Sequence, residues 1–272
     1  MTNAFSTPLT PSGRSATAPA PPWHYVADFL AVEFEADPDA VASLLPPGFS
    51  MGERPGRCAV FFSDCQYARD GGAELREPSV CQYKECLVVA EASYDGKPAA
   101  FMPFIFVDND NSMVRGLIQG MPKQLASVKL TRPYNIESPA APRLAPGGLF
   151  AASLAHRDHR LAAARETLRE PADKAPNRIM GRLLNRRHFP DLAAGRHGLP
   201  LVDQLVRQKT RDVRIGDIWT GEAELEILDA PTHEFGLLKP VSVGAGYRYT
   251  FAMTIDDVEV VRDLAASPLP RA

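Results

Sequence analysis

The sequence predicts one β-rich α+β domain made mostly of antiparallel strands, with closure of the sheet into a barrel as an option. Segments of strand length with alternating or continuous apolar residues recur along most of the chain. The pair Asp95-Gly96 separates two of them, and so short a turn requires antiparallel neighbours. The chain has 272 residues, 45% of them hydrophobic, which is enough to build one large core.

The N-terminal part of the chain gives an arm, one strand and one helix. Residues 1–22 are rich in Pro, Ser, Thr and Ala, so we expect an extended or disordered arm before a single domain over 23–272. Loose alternation predicts a strand from Val26 to Phe34. Asp37 supplies a cap for a short helix from Ala40 to Leu45, which Pro46-Pro47-Gly48 ends.

The rest of the domain is predicted to contain strands and one region with a helical sequence pattern. Strand patterns cover Cys58 to Cys65, Tyr83 to Ser93, Ala99 to Val107, Leu125 to Thr131, Gly148 to His156, Val202 to Ile218, Glu222 to Leu228 and Ser242 to Ile255. Between about 157 and 200, Arg, Ala and Leu recur at helical spacing and prolines interrupt them, which predicts a helical insertion. A last helix is expected from Asp257 to Ala265.

Charge and composition exclude several classes of function. The formal net charge of −3 gives no positive field for nucleic acid or an anionic membrane, so neither is an expected partner. No run approaches the roughly 18 to 20 apolar residues of a membrane span, and we expect a cytoplasmic protein. The four cysteines form no CxxC pair, and His156 and His159 fit a solvated face better than a metal site. We expect neither a metal nor a cofactor.

Two charged side chains are candidates for chemistry. Glu85 stands in the strand from Tyr83 to Val89, and an inward carboxylate there needs a partner because unpaired burial is costly. A solvated strand end is the alternative. Lys123 follows Gly120 and Pro122, which fix an irregular turn before a new strand. Such a lysine is usually an exposed charge, and the residue pattern alone does not decide.

The segment Gly120-Met121-Pro122-Lys123 resembles the Gly-x-Pro-Lys segment of acetoacetate decarboxylases, whose lysine forms an imine with the substrate. Other matching pieces follow in the family's order along the chain. They are Ser6 to Thr10, Asp37 to Pro47, Tyr83-Lys84-Glu85, Val107 to Asp110 and Trp219-Thr220-Gly221. Only the region at about 157–200 falls clearly outside the resemblance.

The resemblance implies a fold and an oligomeric state: a seven-stranded antiparallel β-cone in a double-barrel-like α+β domain, assembled into homo-oligomers. It also implies that Lys123 is the imine lysine and that Glu85 is the carboxylate beside it. An amine attacks a carbonyl only when uncharged, and a free lysine titrates near about 10.4. Acetoacetate decarboxylase is itself the standard example of a lysine activated by desolvation or a neighbouring cation.

Several positions depart from the decarboxylase pattern. Gln124 replaces the second lysine that follows the imine lysine in decarboxylases, and Ala27 aligns with their arginine in the first strand. The family's Gly-Arg-Glu becomes Arg115-Gly116-Leu117, and another family glutamate aligns near Phe62 or Ser63. These changes remove many of the polar side chains that are associated with decarboxylation. The imine lysine and Glu85 remain.

A different reaction on the same imine is therefore favoured. Gln119, together with a tyrosine from the strand of Tyr247 and Tyr249, resembles the aldolase-dehydratase branch of the superfamily. In that branch pyruvate forms the imine, its enamine attacks an aldehyde, and water is lost. We expect Glu85 to transfer protons, and Gln119, Arg115 and a tyrosine to hold the substrates. Ordinary strand packing of the two tyrosines, and a plain turn role for Gln119, are the alternatives.

Three functions remain open at this stage. The leading hypothesis is a cofactor-independent lyase that condenses pyruvate with an aldehyde through a Lys123 imine. The second is decarboxylation of acetoacetate or a related β-keto acid through the same imine. The third group comprises other chemistry on this fold, such as cyclisation or hydration, and a non-catalytic cone that binds a small molecule.

Overall fold

The computed structural model describes residues 4–176 and 180–265. Its helices are α1 (Pro38–Leu44), α2 (Pro78–Cys81) and α3 (Asp110–Ile118). Its strands are β1 (Trp23–Ala36), β2 (Phe49–Met51), β3 (Arg57–Ala68), β4 (Gln82–Tyr94), β5 (Lys97–Val107), β6 (Lys123–Leu125), β7 (Ser127–Leu130), β8 (Leu149–His156), β9 (His159–Ala172), β10 (Asn185–Pro190), β11 (Pro200–Ile215), β12 (Ile218–Ile227) and β13 (Pro240–Asp263). The predicted β-rich α+β class is confirmed.

One large sheet organises the molecule. Its main path runs β6-β5-β4-β3-β1-β13-β12-β9-β8-β7, and β11 pairs with both β10 and β13. The first and last strands, β1 and β13, lie side by side from Trp23↔Ile255 to Ala36↔Pro240. Pairing is antiparallel as expected, except that β6 runs parallel to β5. That exception matters because β6 begins at Lys123.

The central strands are buried on both faces, which explains why they read as continuous apolar runs. Successive residues of β1, β3 and β4 point to opposite faces of the sheet and enter two separate cores. One core contains Phe29, Phe61 and Leu87, and the other contains Leu30, Phe62 and Val88. Glu85 belongs to the face of Leu87, so alternation directs its carboxylate toward the first core.

Two local predictions are confirmed, the cap of α1 and the Asp95-Gly96 hairpin turn. The Asp37 carboxylate accepts hydrogen bonds from the amides of Asp39 (2.8 Å) and Ala40 (3.3 Å), and so caps α1 as expected. Asp95 and Gly96 both have positive φ, at 51° and 68°, which is the type I′ geometry of a two-residue hairpin.

The predicted helical insertion at about 157–200 is wrong. Its first half is β9, which forms a hairpin with β8 through Arg157 and Asp158, both with positive φ. Its second half contains β10, which pairs with β11. In β9 the burial alternates along Ala162 to Arg169, so the Ala-rich and Arg-rich composition lies on a two-residue period. Pairing with β8 and β12 overrides the helical propensity of alanine.

The two ends of the chain also differ from expectation. The segment from Asp257, predicted as a helix, continues β13 to Asp263 and pairs with β11. In the arm, the residues from 4 to 22 form no regular helix or strand, but they are tied to the domain. Trp23 donates its indole N–H to the carbonyl of Pro19 (3.0 Å), and Phe5 packs edge-on against the Trp23 ring. Over the described ranges, no helix has the length and apolarity needed to span a membrane.

Candidate active site

The end of α3 places Lys123. Gly120 has φ +80°, and the amides of Gly120 and Met121 donate to the carbonyls of Leu117 (3.0 Å) and Gly116 (2.9 Å). This pair of bonds is the Schellman arrangement that ends a helix at glycine. A side chain at 120 would also meet Val206 and Arg187, so the glycine permits close packing. The chain then turns through Pro122 and starts β6 beside β5.

The Lys123 amine lies in a buried polar cluster. Its Nζ donates to Oε2 of Glu85 (2.6 Å) and to Oγ of Ser112 (3.0 Å). Glu85 and Lys123 are each 9% exposed, and Ser112 is fully buried. The three groups come from β4, α3 and β6, so their proximity depends on the tertiary fold. The amine thus has one carboxylate as an immediate proton acceptor.

Gly116 leaves the space that the lysine stem occupies. A Cβ at this helix position would lie 2.3 Å from Cδ and 2.5 Å from Cε of Lys123. Both carbons belong to the chain that carries the reactive amine. Any larger residue at 116 therefore has to push Lys123 away from Glu85.

An inner cavity surrounds the amine. Most of its lining is apolar, with polar groups at a few points: Tyr25, Ala27, Phe29, Cys65, Tyr83, Glu85, Leu87, Met102, Ile105, Gln119, Met121, Lys123, Leu183, Gln208, Phe251, Met253 and Ile255. It offers about 60 Å³ to the centres of water-sized molecules. A mostly apolar pocket with a few convergent polar groups is the usual form of a small-molecule site.

Gln119, Gln208 and Tyr25 supply neutral hydrogen-bonding groups to this cavity. The Gln119 amide donates to the Arg115 carbonyl (2.8 Å), and its Oε1 accepts from Gln208 Nε2 (2.7 Å). Burial raises the pKa of Tyr25, and the nearby Arg115 and Gln119 side chains offset that effect only in part. Tyr25 therefore keeps its proton at neutral pH and is available as a donor. Tyr25, Ser112 and Gln208 were not predicted from the sequence. The pairing of β1 and of β11 with β13 places Tyr25 and Gln208 at the site, and α3 places Ser112 there.

Arg115 lies behind the cavity wall. Its guanidinium is 1% exposed and stacks over the Tyr67 ring, 3.4 Å from the centroid, with Tyr25 and Tyr83 on its flanks. Burial alone would lower the pKa of Arg115, but the three tyrosines outweigh it and raise the pKa. The side chain is a fixed cation one residue layer from the cavity, rather than part of the lining as predicted.

Neither Tyr247 nor Tyr249 lines the inner cavity. The Tyr247 hydroxyl donates to Glu33 (3.5 Å) beside a separate surface cleft. The Tyr249 ring is buried and stacks on Phe29 at 5.3 Å between centroids. Both belong to the packing of the first core, and the tyrosines that line the cavity are instead Tyr25 of β1 and Tyr83 of β4.

The departures from the decarboxylase pattern lie at different places relative to the cavity. Ala27 lines it where the resemblance aligned an arginine, and Gln124 points to solvent. Ser63 is fully buried, lies opposite Glu85 in the β3–β4 register and accepts from the Cys65 thiol (3.2 Å). Burial raises the pKa of Cys65 to about 12, so its thiol stays protonated. Glu85 is accordingly the cavity's acidic group.

Comparison with known proteins now decides the family. The family model described as acetoacetate decarboxylase matches residues 6–264. The chain belongs to the acetoacetate decarboxylase family, and it is an enzyme. Curated relatives include the acetoacetate decarboxylases of Clostridium botulinum (21% identical, 97% of this chain and 96% of the relative) and Paraburkholderia phytofirmans (25%, 98% and 96%).

Solved structures of this family share the fold. The enduracididine biosynthesis enzyme MppR, complexed with the condensation product of pyruvate and imidazole 4-carboxaldehyde, is 33% identical, with a TM-score of 0.88 over 96% of this chain and 97% of its own. An acetoacetate decarboxylase-like enzyme from Sphingomonas wittichii is 26% identical, with a TM-score of 0.86 over 96% of this chain and 100% of its own. Acetoacetate decarboxylase from Legionella pneumophila, 21% identical with a TM-score of 0.74 over 96% of this chain and 94% of its own, supports the fold alone.

A metal site would require a cluster of ligand side chains among the described residues. Within them, no group of three or more His, Cys, Asp or Glu side chains is arranged to hold a metal ion. His156 packs against His233 at 5.4 Å between rings and lies with Phe106, on the face of the second core. These histidines act as aromatic packing groups.

Proposed function

We propose that this enzyme condenses pyruvate with an aldehyde through an imine on Lys123 and then eliminates water, giving an unsaturated 2-keto acid. The observation that carries the proposal is the buried Lys123 amine, 2.6 Å from Glu85, in a cavity whose remaining polar lining is neutral. Ala27 and Gln124 stand where decarboxylases carry cations. The condensation product bound to MppR supports the same chemistry.

The first half-reaction forms an enamine. The Lys123 ammonium first gives one proton to Glu85, and the uncharged Nζ attacks C2 of pyruvate and loses a second proton. The carbonyl oxygen takes up both protons and leaves as water, which gives a protonated imine. Glu85 accepts and returns these protons because it is the carboxylate in contact with Nζ. Loss of a proton from the methyl carbon then sends its electron pair into the imine. Ser112, which also contacts Nζ, holds the nitrogen in place during these steps.

The second half-reaction makes and then unsaturates the carbon–carbon bond. The enamine carbon attacks the aldehyde carbon, and the aldehyde oxygen takes up a proton. The former methyl carbon then loses a second proton, and the hydroxyl takes up a proton and departs as water. Hydrolysis of the imine frees the product and Lys123. The net change is pyruvate plus RCHO to RCH=CH–CO–COO⁻ plus one water.

The polar wall holds the carboxylate of the keto acid. Tyr25 and the amides of Gln119 and Gln208 lie in the same lining as Lys123, and all three can donate. The mutual bond of the two glutamines fixes their orientation before the substrate arrives. Arg115 lies behind Tyr25 and does not contact the bound anion. Its buried positive charge stabilises the anion by electrostatic attraction across that distance.

Trapping experiments test the proposal directly. Sodium borohydride with pyruvate is expected to add the mass of the reduced imine to the Lys123 peptide, and Lys123→Ala is expected to abolish the adduct. With pyruvate and an aldehyde, the conjugated enone is expected to absorb in the ultraviolet and to have the mass of the two reactants minus water. Absence of any pyruvate adduct on Lys123 would refute the proposal.

Decarboxylation of acetoacetate is the second candidate. It is favoured by the curated relatives, which are acetoacetate decarboxylases, and by the same lysine and glutamate pair. The protonated imine accepts the electron pair released by loss of CO₂ in the same way. Measured CO₂ release from acetoacetate at rates above the condensation rate would replace the first proposal with this one.

A further inference from the structure

The inner cavity is too small for both reactants. A water needs roughly 10–15 Å³ of this kind of volume, so about 60 Å³ holds only a handful of heavy atoms. That matches a three-carbon keto acid on Lys123. The body of the aldehyde must therefore lie elsewhere while its carbonyl meets the enamine.

A second and larger space adjoins the inner cavity. This outer cleft offers about 360 Å³ and shares four lining residues with the cavity: Leu183, Gln208, Phe251 and Met253. Its volume lies in the range of ligand pockets, roughly 300–1,000 Å³. The shared residues form a common wall, so a molecule in the cleft can reach toward Lys123.

The outer cleft is chiefly apolar. Beyond the shared wall, it is lined by Ala175, Val213, Ile215 and Ile218. Val213 and Ile215 are 52% and 45% exposed, which is unusual for two apolar side chains that line one concave surface. Among the described residues, its charged ones are Asp173 and Lys174, and their opposite signs favour neither an anionic nor a cationic partner.

We propose that the aldehyde substrate carries an apolar chain or ring, which binds in the outer cleft while its carbonyl enters the inner cavity. This inference rests on the proposed condensation function and names the class of its second substrate. Burial of each methylene contributes about 0.8 kcal/mol, which equals about a fourfold gain in kcat/KM.

A homologous series of aldehydes tests the inference. With saturating pyruvate, kcat/KM is expected to rise about fourfold per methylene from propanal to hexanal, and glyceraldehyde is expected to react more slowly than butanal. A flat series, or a preference for glyceraldehyde, would overturn the inference.

A matched pair of variants locates the effect. Val213→Asp puts a charge in the outer cleft and is expected to lower kcat/KM for hexanal at least tenfold more than kcat/KM for propanal. Val241→Asp is the control, because Val241 is an exposed strand valine that lines a different groove. If both variants behave alike, the cleft does not hold the aldehyde.

Borohydride trapping with pyruvate separates this inference from the proposed function. A Lys123 adduct in the wild type and in both variants, together with no dependence on aldehyde length, refutes the apolar class and leaves the condensation standing. No adduct in the wild type refutes both.

Discussion

At the scale of single residues, the Lys123–Glu85 pair is the centre of the proposed chemistry. A buried charge pair is costly to break from one side, because the remaining charge has no partner and no water. The contacts of Nζ with both Glu85 and Ser112 compensate for that cost in the resting enzyme. The contact with Glu85 also places a proton acceptor at hydrogen-bond distance from the amine.

Replacing Glu85 with glutamine separates the hydrogen bond from the proton transfer. The amide oxygen can still accept from Nζ, so we expect the pyruvate imine to be trapped on Lys123. Turnover should fall about 10²- to 10⁴-fold, the usual contribution of a general acid or base. Steady-state kinetics and mass spectrometry measure the two effects. Glu91→Gln, on the same strand but paired with Arg57, is the control; an unchanged turnover in Glu85→Gln would remove its proposed role.

Gly116→Ala tests the fit of the lysine stem. The added methyl would lie 2.3 Å from Cδ of Lys123 and displace the amine from Glu85. We expect borohydride trapping and turnover to fall at least 100-fold. The fold should persist, since alanine favours a helix over glycine by about 1 kcal/mol. Circular dichroism checks the fold. Gly198→Ala, where nothing lies within 4 Å of the new methyl, is the control; full trapping in Gly116→Ala would contradict this account.

The sequence allowed only part of the site to be predicted. The motif around Lys123 and the alternation at Glu85 were sufficient to name those two residues. Tyr25 was missed because nothing local shows which cavity a strand tyrosine faces. Tyr247 and Tyr249 lie on the face of β13 that packs in the first core, but the strand lines the cavity farther along, at Phe251, Met253 and Ile255. A spacing of two shows which residues share a face and not where along the strand the cavity lies.

At the scale of elements, α3 was missed although its end signals are present. Asn109 accepts from the amide of Ser112 (3.0 Å) as an N-cap, and Gly120 followed by Pro122 is a common helix ending. The four apolar residues of the helix recur at helical spacing but are only partly buried: Met113, Val114, Leu117 and Ile118. The buried positions are Ser112, Arg115 and Gly116, so the apolar pattern does not show which face of α3 packs on the domain.

Strand β9 carries a buried acid outside the proposed site. The Glu166 side chain is 2% exposed, and among the described residues its carboxylate oxygens find no hydrogen-bond donor. Burial raises the pKa of Glu166 to about 8, against a weaker opposing effect of Arg248. Gly246 of β13 makes room for it, since a Cβ there would lie 2.8 Å from Cγ of Glu166. A neutral carboxyl is thus packed between β9 and β13.

The stability of the enzyme should depend on this carboxyl. Between the ordinary pKa of 4.5 and about 8, the unfolded chain loses the Glu166 proton while the folded state keeps it. Stability is therefore lost as the pH rises through this window, by on the order of a few kcal/mol, and the loss is complete above about 8.

Glu166→Gln removes the titration and nearly preserves the volume. Urea unfolding at pH 5, 6.5 and 8.5 should show the variant gaining stability relative to the wild type as the pH rises. Glu222→Gln, an exposed glutamate paired with Arg169, serves as the control and should show no such trend. A constant difference between wild type and Glu166→Gln across the range would disprove the buried neutral acid.

At the scale of the whole molecule, the β-rich class was predictable and the arrangement of its two cores was not. Continuous apolar runs in β1, β3 and β4 indicate burial on both faces, but they do not show that each face has its own core. The parallel contact of β6 with β5 also depends on long-range packing. The homo-oligomer implied by the family resemblance stays a prediction, for which sedimentation velocity is the test.

The two ends of the chain meet in the middle of the sheet. Strand β13 pairs with β1, β11 and β12, so three strands depend on the last element that the chain supplies. Leu205 and Val206 of β11 are fully buried beside it. Strand pairings between residues so far apart in sequence form late in folding. The chain must lose the entropy of closing a long loop before the new contacts can compensate for that loss. The sheet is therefore expected to be one cooperative unit.

A truncated chain tests this cooperativity. Ending the protein at residue 239 removes β13 and leaves the backbone groups and apolar side chains of three strands without their partner. We expect this variant to show no sigmoidal urea transition and to bind a hydrophobic dye, as a compact state without fixed packing does. A chain that ends at residue 265 keeps every strand of the described residues and should unfold like the full-length enzyme. A transition in the shorter chain with the full-length slope would show that β1 to β12 fold on their own, because that slope reports the surface exposed on unfolding.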